Sequence, residues 1–456
     1  MVSPNLISYS QFFTFFIYIL LMIINKKSNK YHIYKYLLIF FLFMNLIFIY
    51  LYFKGNDLEN HIIKVAYFSY QMENGGIERV FSVLVNFLSK EKYFSIYLIT
   101  KINKRIGEYK VPNNIKRISL IEQKIDLFEV LEKEKIDILI YNYEDRSVEK
   151  LSKLNKTKVI FYNHSSFLYW IYRKHLYNFK DTVYNLYRNC KYVISLIPVE
   201  NDYLFKKWGI NSILMDNPFT FDYNSVVPSD LSSKNIIMIG RGTDPVKRYD
   251  LGIKAMEYIV KEIPECQMKI VSLINIYLQK LIENLNLKEN IKFTGYQENV
   301  EIYLKNASLH ILPSFSESYP QVLGEAKIFG IPSILCGLDH LTLAKGGTII
   351  IYDDNPHTLS KEAIKILKDD EYRKKLGRQA RESMKKKSNK LIAERWIKLL
   401  LLVYNGDEKI YQKLTNDKIK DEEAEKILNN QLKLLQLRNP RFKHVTFENF
   451  IYYSLS

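Results

Sequence analysis

From Asn60 onward the chain alternates short runs of β-branched and aromatic residues with amphipathic stretches, which is the pattern of parallel sheets covered by helices. Strands are expected at Ile63 to Ser69, Phe94 to Thr100, Asp137 to Tyr141, Lys158 to Tyr162 and Tyr192 to Leu196. After Pro218 and a polar stretch to Lys234 a second series begins with Ile236 to Gly240. It continues through Met268 to Leu273, Ile291 to Phe293, Leu309 to Leu312, Pro332 to Leu335 and Thr348 to Tyr352. The expected fold class is therefore α/β, with two doubly wound domains at 60–216 and 235–388 joined by a linker at 217–234. After the first strand, Ile77, Val80, Phe81, Leu84, Val85 and Leu88 share one helical face and read as core. An apolar helix at 389–404 containing Trp396 and a charged tail at 405–456 close the chain.

Composition removes several classes of function. The chain is 47 % hydrophobic with only 16 Gly and 12 Pro, which excludes collagen-like and wholly disordered chains. Cys190, Cys266 and Cys336 lie far apart, so neither a zinc ribbon nor a dense disulfide framework is available, and no HExxH or GxSxG occurs. A formal charge of +17 suits nucleic acid, an anionic membrane or phosphorylated substrates. Nucleic acid is not the expected partner, because neither a recognition helix nor a basic motif interleaved with aromatics is present.

Residues 1–56 are different in kind. Leu6 to Ile24 and Tyr36 to Phe53 are uncharged apolar runs, each about long enough to cross a bilayer, and they predict one or two transmembrane or membrane-dipping helices. No basic residue precedes the first run and no small-residue cleavage site follows it, which argues against a signal peptide. Lys26, Lys27, Lys30 and Lys35 between the runs would sit on the cytoplasmic face, and a full hairpin would then place the rest of the chain outside. A hairpin dipping into one leaflet would instead keep both flanks cytosolic. Sequons begin at Asn155, Asn163 and Asn306, and a glycan on Asn163 would obstruct the candidate site, so the expected location is a membrane with the catalytic region on its cytosolic face.

Four segments can carry chemistry. Gly75 and Gly76 fall where a helix begins, either as turn glycines or as a close approach for phosphate to the backbone amides. The loop Gly240-Arg241-Gly242-Thr243-Asp244-Pro245-Val246-Lys247-Arg248 follows a strand, so its cations are either a solvated basic patch or a diphosphate site at the ligand-binding edge of a parallel sheet. In Pro313 to Ala326, Glu317 reads as a loop residue and Glu325 as a helix residue, with Pro320 in the first helical turn. The two carboxylates are either cap and surface charges or acceptors for two parts of a polyhydroxyl ligand. His164 closes a strand in Phe161-Tyr162-Asn163-His164, as a structural histidine or as a group facing the same crevice.

Together, Gly75-Gly76-x-Glu78-Arg79, the Gly240-Arg241-x5-Lys247 loop and Glu317-x7-Glu325 resemble the retaining glycosyltransferases of family 4, which have the GT-B fold. Asp216-Asn217-Pro218 and Phe293-x-Gly295 look like further landmarks, and the resemblance covers about residues 63–404. It implies a nucleotide-sugar donor between two Rossmann-like domains, with Arg241 and Lys247 on the diphosphate, Glu325 on the ribose and Glu317 on the sugar. Gly75 and Gly76 would approach the phosphates, His164 would lie near the reacting centre, and Gly295, Ser318, Tyr319, Val322 and Leu323 would complete the donor site. Ser318-Tyr319 stands where the family usually has Gly-Phe or Gly-Leu. The resemblance also implies no cofactor and no metal, and a last helix around Trp396 that crosses back onto the first, acceptor-side domain. The reading is a membrane-associated enzyme transferring a hexose or N-acetylhexosamine from a UDP or GDP sugar to a lipid-linked or glycan acceptor. A non-catalytic sugar-nucleotide-binding or scaffold subunit is the alternative, against which intact Arg241, Lys247, Glu317 and Glu325 argue.

Overall fold

The structure is a computed structural model that describes residues 61–73, 75–171, 186–414 and 418–455. The chain divides into compact units at 1–62 and 63–456. The expected membrane segment at 1–56 lies outside the described residues, and among the described residues no helix is long and apolar enough to cross a membrane.

Two parallel sheets organise the larger unit. The first contains β1 (Ile63–Ser69), β2 (Phe94–Thr100), β3 (Lys116–Ser119), β4 (Ile138–Tyr141), β5 (Lys158–Tyr162), β6 (Tyr192–Ser195) and β7 (Ser212–Leu214). Its spatial order is β3-β2-β1-β4-β5-β6-β7. The second contains β8 (Asn235–Ile239), β9 (Gln267–Val271), β10 (Ile291–Phe293), β11 (Leu309–Leu312), β12 (Ser333–Cys336) and β13 (Thr348–Ile351), in the order β10-β9-β8-β11-β12-β13. Each order reverses direction after its first strand, between β1 and β4 and between β8 and β11. Those switch points open a crevice at the carboxyl ends of the strands. Nearly every residue of β1, β4, β6, β11 and β12 is buried, as expected of strands covered on both faces. The expected strands sit within one or two residues of these positions, whereas the short edge strands β3 and β7 were not anticipated.

Five helices position the site. Helix α1 (Gly76–Leu88) buries Val80, Phe81, Leu84, Val85 and Leu88, and unexpectedly Glu78, while Ile77 is only half-buried. Helix α2 (Tyr249–Glu262) follows the loop after β8, and α3 (Gln321–Ile328) follows the loop after β11. Pro320 is the N-cap of α3 rather than a residue of its first turn. Helix α4 (Asn389–Tyr404) leaves the second domain and packs against α1, with Trp396 buried and its ring 5.1 Å from that of Tyr162. The two chain crossings between domains are tied together by one side chain: Asn389 accepts from the Phe219 amide at 2.8 Å and donates to its carbonyl at 2.7 Å.

The described residues of 405–456 do not behave as a charged tail. Helix α5 (Asp421–Arg438) buries Ala424, Leu428, Gln431, Leu432, Leu434 and Leu435, and Phe442 and Phe450 beyond it are buried as well. The charges lie on the outer face of an amphipathic helix whose apolar face continues the core of the first domain.

Candidate active site

All four segments singled out in the sequence lie at carboxyl ends of strands. Gly75 caps α1 after β1, His164 follows β5, the 240–248 loop follows β8 and the 313–320 loop follows β11. A Cβ on Gly75 would lie 1.7 Å from Glu78 Oε2, because the Glu78 carboxylate folds back under the turn, so any side chain there would have to displace that carboxylate. A Cβ on Gly76 or Gly295 would meet nothing within 4 Å, so both present open backbone, and Gly295 has a φ of +77° that favours glycine.

The second domain supplies the charged centre. Lys247 ends a short 3₁₀ turn, and its Nζ lies 2.7 Å from Glu317 Oε1, with both side chains largely buried. Phe315 donates its amide to the Val246 carbonyl at 2.7 Å, locking the two loops that carry this pair, and His340 Nε2 lies 3.0 Å from the Glu317 carbonyl. Arg241 is not drawn into the pair. Its side chain is 71 % exposed and 3.7 Å from Asp244, and its charge acts on the buried Glu78 of the first domain. Burial nevertheless holds the Glu78 carboxyl above the usual carboxylate range.

The first domain meets this centre directly. Ser318 donates its hydroxyl to the His164 carbonyl, and Ser166 and Ser316 hydroxyls lie 2.6 Å apart. His164 is thereby fixed beside the Glu317 loop, and burial pushes its imidazole down to about 3, so the ring is neutral at physiological pH. Among the described residues its Nε2 has no hydrogen-bond partner, and neither do Gln321 Nε2 at the start of α3, Ser314 Oγ or Tyr249 OH. Buried polar atoms left open in this way are what a polar ligand would satisfy.

Glu325 is fully buried in α3 and 3.1 Å from Arg79 Nη2 of α1, an ion pair that joins the two domains. Burial raises its carboxyl and Arg79 opposes that rise. Three of the expected donor contacts are placed differently from one another. The Tyr319 side chain is buried against Phe219 and donates to Asp216 at 3.0 Å, and Leu323 is fully buried in the core, so only the backbone of either is left for a ligand. Val322 is half-buried at the first turn of α3, where the positive end of the helix dipole is strongest.

Residues that the sequence reading passed over also shape the cleft. Arg79 stood in the quoted motif without a role. Tyr109 lies within electrostatic reach of Arg79, Glu78, Glu325 and Tyr296, and so belongs to the same corner. Asp216 takes both the Tyr319 hydroxyl and Lys387 Nζ, the latter at 2.6 Å. Tyr109 and Lys387 had no sequence signal, because Glu325 and Tyr296 beside the one and Asp216 beside the other are distant in the chain.

Comparison with known proteins agrees with this fold. Residues 223–383 match the family described as Glycosyl transferases group 1. The chain is 24 % identical over 375 residues, 76 % of its own length and all of the relative's, to a curated protein of Campylobacter jejuni. That relative is named GalNAc-alpha-(1->4)-GalNAc-alpha-(1->3)-diNAcBac-PP-undecaprenol alpha-1,4-N-acetyl-D-galactosaminyltransferase. Among solved structures, sucrose-phosphate synthase from Thermosynechococcus elongatus superposes with a TM-score of 0.62 at 16 % identity, over 76 % of this chain and 100 % of that one. The pneumococcal O-GlcNAc transferase GtfA in complex with UDP and GlcNAc gives 0.58 at 12 % identity, over 75 % and 99 %.

Proposed function

Since the chain belongs to the glycosyl transferases group 1 family and is a glycosyltransferase with the two-domain GT-B fold, we propose that it is a membrane-associated retaining enzyme. On this reading it moves a hexose or N-acetylhexosamine from a UDP or GDP sugar to a lipid-linked or glycan acceptor. The observation that carries the proposal is the Lys247–Glu317 pair at the switch point of the second sheet, held against His164 of the first domain by Ser318.

Cleaving a glycosyl phosphate creates an oxocarbenium-like carbon and a diphosphate leaving group, so positive charge must be waiting at the departing oxygens. Lys247 and the start of α3 supply it on this reading, Arg241 swings in from solvent to add to it, and no metal is required. Glu317 holds sugar hydroxyls, Glu325 exchanges Arg79 for the ribose hydroxyls, and neutral His164 accepts a hydrogen bond near the reacting carbon. The lipid half of the acceptor is supported by the PP-undecaprenol in the name of the Campylobacter relative and by the apolar runs of residues 1–56. UDP as carrier is supported by the GtfA complex. A catalytic region on the cytosolic face accords with Asn163, which is 1 % exposed and could not carry a glycan without displacing the His164 loop.

The test is nucleotide release from a panel of UDP and GDP sugars by the detergent-solubilised chain, with a lipid extract as acceptor. Release from one donor, abolished by Glu317→Ala, supports the transferase. Nucleotide binding without release under every condition would assign the chain to the scaffold class instead.

A further inference from the structure

The segment after α4 reaches the back of the donor site. Helix α5 lays Ala424, Leu428, Leu432 and Leu435 into the core of the first domain, where Tyr203 donates its hydroxyl to Glu425 at 2.6 Å. Its other side meets the second domain. Gln431 Nε2 donates to the Gly337 carbonyl and to Asp339, and Asn430 donates to Asp339 at 2.9 Å. Leu434 occupies the space where a Cβ on Gly337 would lie, 2.1 Å from Leu434 Cδ1.

The last residue of α5 makes the contacts that matter for chemistry. The Arg438 side chain is 6 % exposed and pairs with Asp354 at two points, Nε to Oδ2 at 2.9 Å and Nη2 to Oδ1 at 3.0 Å. It also donates to the Cys336 carbonyl at 3.2 Å and the Phe315 carbonyl at 3.3 Å, and its guanidinium lies 5.0 Å from the centre of the Phe315 ring. Asp354 in turn holds Arg248, at 2.6 Å, the residue next to Lys247. Phe315 is two residues before Glu317. One guanidinium therefore braces both loops of the Lys247–Glu317 pair from behind, using a planar fork that lysine cannot reproduce.

We propose that Arg438 is a positioning residue of the transferase, and that residues 418–455 are part of its donor site's support. The inference rests on the donor-site reading given above, since it is that pair whose geometry Arg438 sets. Displacing the pair by about 1 Å is enough to cost on the order of a hundredfold in turnover without removing any group that touches donor. Arg438→Lys retains the charge and removes the two-point pair, and Asp354→Asn weakens the same brace from its other side.

Three measurements on the full detergent-solubilised chain test this, with exposed Lys433→Ala on the same helix as control. Hydrogen–deuterium exchange of the 313–320 loop should rise in Arg438→Lys and Asp354→Asn while that of the β8 strand stays unchanged. Binding of UDP or GDP should remain as in the wild type, and kcat for donor turnover should fall by about tenfold to a hundredfold with KM little changed. The effects of the two substitutions together should be far less than the product of each alone. Unchanged exchange in the 313–320 loop overturns the proposal whatever the kinetics, as does full turnover in Arg438→Lys. A wild-type chain that binds neither nucleotide overturns the donor-site reading itself, and with it the role assigned to Arg438, even where the loop exchange rises.

Discussion

Lys247→Met removes the charge of the second domain's central cation while keeping most of its length. In the structure the ammonium sits 2.7 Å from Glu317 Oε1, with the lysine side chain 20 % and the glutamate 11 % exposed. The carboxylate therefore fixes the ammonium in place before donor arrives, its attraction offset in part by the desolvation of both charges. On the proposed reading the same cation faces growing charge as the diphosphate departs, and losing one preorganised donor of that kind costs about 3 to 4 kcal/mol. That corresponds to a loss on the order of a hundredfold to a thousandfold in rate. Because the interaction strengthens only as the bond breaks, the loss should fall mainly on kcat rather than on KM. Steady-state nucleotide release from the best donor of the panel measures both, with thermal unfolding to show that Lys247→Met is folded. Lys247→Arg should recover part of the rate, since it returns the charge with a different reach. A folded Lys247→Met variant within about fivefold of wild type, equivalent to ~1 kcal/mol, would falsify the assignment of Lys247 to the leaving group.

Two further expectations concern the scaffold beneath the site. Gly324→Ala places a Cβ 2.0 Å from the Phe219 ring, between the donor helix and the linker. Overpacking there should lower stability by about 1 to 3 kcal/mol, read from the urea midpoint at unchanged slope. Glu200→Gln tests the anchor of the His164 loop, where Asn163, the Phe167 amide and Ser195 all donate to a carboxyl that burial pushes up to about 8. A carboxyl raised in the folded state binds a proton that the unfolded chain has already released. Wild type should therefore lose stability relative to Glu200→Gln as pH rises from the usual carboxylate range through about 8. The slope is about 1 kcal/mol per pH unit, and parallel pH profiles of the two proteins would refute it.

How much of this was legible in the sequence depended on whether a residue's partners were local. The strands of both sheet centres could be read because each is a short apolar run bounded by turn residues. β3 reads Lys-Arg-Ile-Ser, with a single apolar residue, and β7 is a three-residue strand that opens on a serine, so neither stands out from its flanks. The loops carrying Gly75, His164, Lys247 and Glu317 could be found because a parallel sheet gathers its strand ends in one crevice. That rule fixes where a loop begins but not where a side chain turns, which is why Arg241 lies in solvent and Tyr319 in the interdomain core. The C-terminal segment was misread for a different reason. Ala424, Leu428, Leu432 and Leu435 recur at helical spacing, so the amphipathic signal is present, but the abundance of Asp, Glu and Lys around them gives the segment the look of a charged tail. Arg438 had no local signal at all, because its partners are Asp354, Cys336 and Phe315, 84, 102 and 123 residues earlier. A guanidinium with five donors is worth burying only where carboxylate and carbonyls converge, and that convergence exists only after the second sheet has assembled. The chemistry of this chain is thus written in its loops, whereas the geometry that makes the chemistry work is set by contacts that no short window of sequence contains.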